Sequence, residues 1–272
     1  MRHSTGLNSL VETFWRYRQL IWQMTRREIL GRYRGSVLGL AWSFFNPLLM
    51  LSVYAFVFSV VFKARWGSSG AESKLSFAFI LFVGMIVHGL FAEVSNRAPG
   101  LIVGNVNYVK KVVFPLELLP IVTMGAALFH SLVSLAVMLT AFALVNGFLH
   151  WTVIFAPLIL MPLIIFTLGL AWMLASIGVF VRDIAQSIGI VTTIMMFLAP
   201  VFFPLTAIPE QYRAIIMVNP LTFIIVQTRA VIISGDMPDW SGLLTYTIFS
   251  VAFAWAGYAW FQKIRGAFAD VL

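Results

Sequence analysis

The chain has 272 residues, of which 61% are apolar and only 10% charged, with a formal net charge of +8. A mean hydropathy of +0.94 means more hydrocarbon than one soluble core can hide, which excludes a water-soluble globular domain. There is no cysteine, which excludes a disulfide framework, a thiol nucleophile and a Cys-based metal site.

Residues 1–34 hold seven of the 18 Lys and Arg, from Arg2 to Arg34. No short apolar region with a small-residue cleavage site follows Met1, so no removable signal peptide is expected. On a helical wheel Leu10, Val11, Phe14, Trp15, Ile21, Trp22 and Ile29 share one face. Glu12, Arg16, Gln19, Gln23, Arg26 and Arg27 share the other. This pattern predicts an amphipathic helix in the membrane interface, with Glu12–Arg16 and Glu28–Arg32 as i,i+4 pairs. Such a helix is either a surface anchor or a gate that meets a phosphate-bearing lipid. In the second case Arg32 and Arg34 carry the role, because guanidinium grips phosphate oxygens as a fork, and Tyr33 adds an amphipathic ring.

The next 28 residues, Gly35 to Phe62, contain no Asp, Glu, Lys or Arg. About 20 apolar residues suffice to cross a bilayer core as a helix, so a first span is expected. Charge-free runs follow at Leu75–Ala92, Leu118–Val181, Ile184–Pro209, Ala214–Thr228 and Trp240–Gln262. The run from Leu118 would extend about 96 Å as one helix and must fold back, with Asn146-Gly147 as the break and Trp151 at the interface. Spans are expected near 36–62, 75–97, 116–145, 152–181, 184–204 and 240–262. The run at 214–228 is short and surrounded by Pro204, Pro209 and Pro220, so it reads as re-entrant.

Lys and Arg favour the cytoplasmic side of span ends. Six spans with the N-terminus inside place 13 of them on that side (Lys110, Lys111, Arg97, Arg182, Lys263 and Arg265 with the N-terminal seven). Five fall outside: Lys63, Arg65, Lys74, Arg213 and Arg229. A seventh span would reverse the C-terminal pair, so both termini are expected in the cytoplasm. The charges sit at span ends rather than in one basic domain, which argues against nucleic acid as a partner.

The expected fold is therefore all-α and polytopic. It has an interface helix over 1–34, spans one to five over 36–204 with a cytoplasmic loop near 98–115, re-entrant helices over 205–238, a sixth span at 240–262 and a tail at 263–272. Ionisable groups within the spans are few, and such groups are functional by default. Glu93 and Arg97 are spaced to pair on one face, and His88 and His130 read as hydrogen-bonding partners between helices. No His-Glu-x-x-His, Gly-x-Ser-x-Gly or P-loop sequence occurs, so no catalytic residue or metal site is expected, and any ATP must be bound by another polypeptide. Aromatic residues are 15% of the chain. Phe44, Tyr54, Phe56 and Phe58 in the first span are either lipid-facing or the lining of a path, since ring faces suit the C–H faces of sugars.

Gly31-Arg-Tyr-Arg-Gly-Ser-Val-Leu-Gly-Leu-Ala-Trp42, then Asn46-Pro47-Leu48, resembles the entry to the first span of ABC-2 type permeases that export polysaccharides. Tyr108-Val-Lys-Lys-Val-Val-Phe-Pro115 resembles that family's segment between spans two and three, and Arg182-Asp183-Ile184 its turn between spans four and five. Ala199-Pro-Val-Phe-Phe-Pro204 with Asn219-Pro-Leu-Thr222 and Arg229 resembles the end of span five and two re-entrant helices, with Phe203 where many relatives have Tyr. The resemblance implies a homodimer in the bacterial inner membrane, bound to two copies of a separate P-loop ATPase that holds the ATP and Mg. It implies an undecaprenyl-pyrophosphate-linked glycan as cargo, whether O-antigen, capsule or teichoic acid. The loop after span two, with Gly100, Gly104, Asn107, Tyr108, Lys110 and Lys111, would couple to the ATPase. A drug or small-lipid exporter would share the architecture, since fold does not fix cargo. A secondary transporter would show internal repeats and midplane coupling charges, which the sequence lacks. A non-catalytic scaffold is the remaining alternative.

Overall fold

The computed structural model describes residues 7–61, 74–110 and 114–272. Arg2, Phe62, Lys63, Arg65 and Lys111 lie outside the described residues, as do the side chains of Leu10, Val11 and Lys74. Among the described residues every regular element is helical. Five helices are long and apolar enough to cross a bilayer: Gly39–Phe58, Phe77–Arg97, Leu118–Asn146, Trp151–Phe180 and Trp240–Val271. Among the described residues, helices of suitable length thus lie where the first to fourth and last spans are expected.

The N-terminal segment forms two helices, α1 (Leu7–Arg16) and α2 (Arg18–Arg32). The first span holds α3 (Trp42–Tyr54), extended by a π-helical stretch at Ala55–Val61. The second is α4 (Lys74–Arg97), and two short helices follow it, α5 (Gly100–Val103) and α6 (Val106–Lys110). Then come α7 (Leu118–Asn146), α8 (Ala156–Phe180) and α9 (Ile184–Phe197). The chain closes with α10 (Glu210–Val218), α11 (Pro220–Arg229), α12 (Trp240–Ile264) and α13 (Phe268–Val271).

The 118–181 run folds back where Asn-Gly predicts it. Gly147 ends α7 with φ +78°, the left-handed cap that glycine adopts without a Cβ clash. Before the last long helix, Asp239 caps α12 by accepting from Gly242 N at 3.0 Å. That backbone bond, with a second from Ser241, holds its carboxyl below the usual range.

α4 is the hub. Leu81, Val83, Val87, Phe91 and Val94 are buried among α7, α8, α9 and α11. α8 and α12 pack at backbone contact, because a Cβ on Gly257 would collide with the Gly169 main chain. At one end of the bundle Met24, Ile102, Leu118, Trp172, Phe261 and Phe268 form a second core. It gathers α2, α5, the start of α7 and the ends of α8 and α12, so the basic segments that bracket the spans converge there. This basic end also carries a near-buried ion pair, Arg265–Glu117 at 2.8 Å.

The fifth crossing differs from the expectation. Only Ile184–Phe197, 14 residues, is helical, about 21 Å at 1.5 Å per residue and short of a 30 Å core. The backbone then turns irregularly through Leu198–Phe203. Non-helical backbone at membrane depth needs partners inside the protein, and Arg229 supplies them. Its Nε donates to Ile80 O at 2.8 Å and its Nη2 to Val201 O at 2.8 Å, while Nη1 donates to Pro200 O. The charge count assigns Arg229 to the outer side, and the structure buries it at 8% exposure within the protein rather than leaving it at the surface.

The segment expected to be re-entrant holds α10 and α11, which bend by 99° at Asn219. Asn219 makes the bend: its Oδ1 accepts from Leu221 N at 3.0 Å, capping α11, and its Nδ2 donates to Met195 O at 2.8 Å.

Candidate functional site

The interface helix was expected to rest its apolar face on lipid. Instead α2 docks on the bundle through Met24 and Thr25, with Phe14, Tyr17, Leu20 and Ile21 packed beside them. Trp15 and Trp22, from the same wheel face, point outward at 73% and 69% exposure. The chain turns at Tyr17, so the two helices do not share one continuous face.

Docking changes the ion pairs. Glu12–Arg16 forms as spaced, at 3.5 Å and fully at the surface. Glu28 does not serve Arg32, because tertiary partners stand closer. Glu28 pairs with Arg97 of α4, and Arg32 pairs with Glu93 at 2.6 Å. The Glu93–Arg97 pair read from the sequence is present at 3.8 Å. The result is a chain of alternating charge, Glu28–Arg97–Glu93–Arg32, that staples the end of α2 to the end of α4. Beside it, the Tyr33 hydroxyl lies 3.3 Å from His130 Nδ1 on α7. Burial raises the Tyr33 phenol above its ordinary range, Arg32 opposing and Glu93 adding, so the hydroxyl stays protonated at neutrality.

The three gate residues therefore part company. Arg32 faces Glu93, Tyr33 faces His130, and Arg34 shares a shallow cavity with Gln23, Arg26 and Arg27 on the outer side of α2. Two further cavities meet at the staple. One, of about 650 Å³, reaches Glu28, Asn96 and Arg97; the other, of about 240 Å³, runs between α3, α4 and α7. Arg32, Glu93 and His130 line both.

Of the four first-span aromatics, only Tyr54 lines this smaller cavity. Phe44 and Phe56 lie on the outer surface at 50% and 60% exposure. Phe58 packs on Phe77 with ring centroids 5.2 Å apart.

The loop after the second span starts with a break at Pro99, which crosses α8 where Gly178 leaves room; a Cβ there would strike the Pro99 main chain. Gly100, Gly104, Asn107 and Lys110 are exposed, an outward stripe, while Ile102 is buried beneath. Tyr108 does not belong to that stripe. It stacks on Phe114 at 4.5 Å and accepts from Arg27 Nη2 at 3.1 Å, tying the loop to α2.

His88 is a helix partner as expected, its Nε2 donating to Thr192 O at 3.0 Å. Arg229 and Asn219 were missed as bracing residues. The signal available was an arginine and an Asn-Pro at the edges of an apolar run too short to span.

Fold and site define a multi-pass α-helical membrane protein with a charged staple and polar cavities at its basic end. The chain belongs to the ABC-2 type transporter family, whose pattern it matches over residues 19–233. It is 29% identical over 263 residues to the O-antigen export system permease protein RfbA of Myxococcus xanthus, covering 96% of this chain and 98% of that one. To the O-antigen export system permease protein RfbA of Klebsiella pneumoniae it is 27% identical, over 92% of this chain and 93% of the relative. To the polysialic acid transport protein KpsM of Escherichia coli it is 24% identical, over 87% and 90% respectively.

Proposed function

We propose that the chain is the membrane permease subunit of an ATP-driven exporter that moves an undecaprenyl-pyrophosphate-linked polysaccharide from the cytoplasm across the inner membrane. The observation that carries this reading is the match to O-antigen and polysialic acid permeases along nearly their whole length. The basic end faces the cytoplasm in this reading, and both termini lie there, consistent with the positive-inside bias. The chain hydrolyses nothing itself and binds no cofactor of its own. A separate P-loop subunit, in two copies, holds ATP and Mg and docks on the outward stripe of α5 and α6.

Two copies of the permease form the passage. Phe44 and Phe56, on the outer face of the first span, are available to line a path between them. Arg32 and Arg34, with Tyr33, meet the pyrophosphate at headgroup depth. Membrane lipids cover the remaining apolar surface.

The test is co-purification of the permease with its ATPase, followed by mass spectrometry of the retained lipid. A lipid-diphosphate glycan supports the reading. Retention of a glycan-free lipid or a drug-like compound would replace it with the small-molecule exporter reading.

A further inference from the structure

We propose that the 240 Å³ cavity between α3, α4 and α7 is a binding site for one sugar ring, the ring joined to the diphosphate of the cargo lipid. The proposal rests on the export reading above and assigns it a second subsite, which adjoins the phosphate site at Arg32.

The lining is polar where a membrane bundle is ordinarily apolar. Ser43, Asn46, Tyr54, His130, Ser131 and Ser134 face the cavity from α3 and α7. His130 stands 12 residues into α7, about 18 Å along it, while Ser43 and Asn46 lie near the start of α3. Polar side chains at such depth are costly and are kept for binding or passage. Part of the lining is satisfied locally: Ser43 donates to Leu40 O at 2.7 Å and Ser134 to His130 O at 2.9 Å. Both hydroxyl oxygens remain able to accept. His130 Nε2 is buried with no hydrogen-bond partner among the described residues, although Nδ1 meets Tyr33.

The α4 side of the lining is aromatic and aliphatic, with Phe82, Met85, Ile86 and Leu90, and the Phe82 ring lies 6.2 Å from that of Tyr54 between centroids. A pyranose has this same division, hydroxyls at its edge and C–H bonds on its faces. A lipid tail would leave the Asn46 amide against hydrocarbon. The volume lies below the roughly 300–1,000 Å³ of sites for drug-sized ligands, which suits one ring rather than an oligosaccharide.

Position ties the ring to the phosphate. The Arg32–Glu93 pair lies on the lining common to this cavity and the 650 Å³ one that reaches Arg97. A diphosphate held at Arg32 would thus put its attached sugar at the mouth of the smaller cavity.

The experiment uses the permease with its ATPase in lipid nanodiscs, titrated with undecaprenyl diphosphate bearing one hexose or none. Wild type should reach half-maximal ATPase stimulation at about tenfold lower concentration of the sugar-bearing lipid, the equivalent of one or two hydrogen bonds. Ser134→Leu, which fills the cavity and lies away from the diphosphate cavity, should lose that preference while responding to bare undecaprenyl diphosphate as wild type does. His130→Gln, which keeps a donor and an acceptor, should retain part of it, and Ser131→Ala supplies a smaller change should the larger ones fail to fold. Equal response of wild type to both lipids, or full preference in the variants, overturns the sugar site alone. No response of wild type to either lipid overturns the export reading and the sugar site together.

Discussion

The Arg229 guanidinium donates to the main-chain carbonyl of Val201 at 2.8 Å, joining the bent α10–α11 pair to the irregular turn that follows α9. The same side chain reaches Pro200 and Ile80, so one arginine closes carbonyls on two crossings. Replacing it strands acceptors in a membrane environment. Arg229→Gln should destabilise the protein by about 2–5 kcal/mol, from the loss of buried charge-assisted bonds. Gly84→Leu should act through the same contact, because a Cβ there would lie 2.8 Å from Arg229 Nη2. Thermal unfolding in detergent by fluorescence-detected size exclusion reads both, and an unshifted midpoint for Arg229→Gln would remove the bracing role.

The outward stripe of α5 and α6 is the proposed docking surface for the ATPase. Asn107→Trp and Lys110→Glu should leave membrane insertion intact while lowering export relative to ATP hydrolysis. Substitution of Gly104 is a less clean probe, since a Cβ there already stands 3.0 Å from Gly100 O. Unchanged coupling in both exposed variants would move the docking site elsewhere.

Topology is open to a direct test because the native chain has no cysteine. Gln211, Ser234 and Lys263 are all exposed. Cysteine at Gln211 or Ser234 should label with an impermeant thiol reagent from outside intact cells, and cysteine at Lys263 only after permeabilisation. Labelling of the Lys263 position from outside would overturn the six-crossing topology.

Arg32 and Arg34 now separate experimentally. Arg34→Gln should weaken stimulation of the ATPase by undecaprenyl diphosphate with little effect on stability, since it lies at the exposed outer side of α2. Arg32→Gln also strips Glu93 of its 2.6 Å partner. It should loosen α2 from α4, and Glu93→Gln added to it should restore stability without restoring stimulation. Lysine at either position should rescue only partly, because a point charge lacks the guanidinium fork. Full rescue by lysine would leave only topology anchoring.

The α8–α12 contact makes a purely structural prediction. Gly257→Leu must push apart two backbones that touch at Gly169, and should destabilise by about 1–3 kcal/mol or more in the unfolding assay. Wild-type stability there would mean that the helices can part without loss.

What the sequence determined by itself was the class and the order of elements. Charge-free runs of a length fixed by bilayer thickness placed the long spans, Asn146-Gly147 placed the hairpin turn, and a proline-ringed run too short to cross placed the bent pair. These are local properties, set by transfer cost and backbone freedom, and need no knowledge of neighbours. Only the tertiary structure decided which charges meet. Glu28 and Arg32 are correctly spaced for each other, yet each finds a partner on α4, because a charge-assisted contact held by two packed helices prevails over an exposed i,i+4 pair worth a few tenths of a kcal/mol. The fate of Arg229 was likewise invisible, since its worth comes from carbonyls freed by an irregular turn some 28 residues earlier in the chain. The polar cavity belongs to the same category. Ser43, Tyr54, His130 and Ser134 are unremarkable in their own helices and become a site only where α3, α4 and α7 pack together.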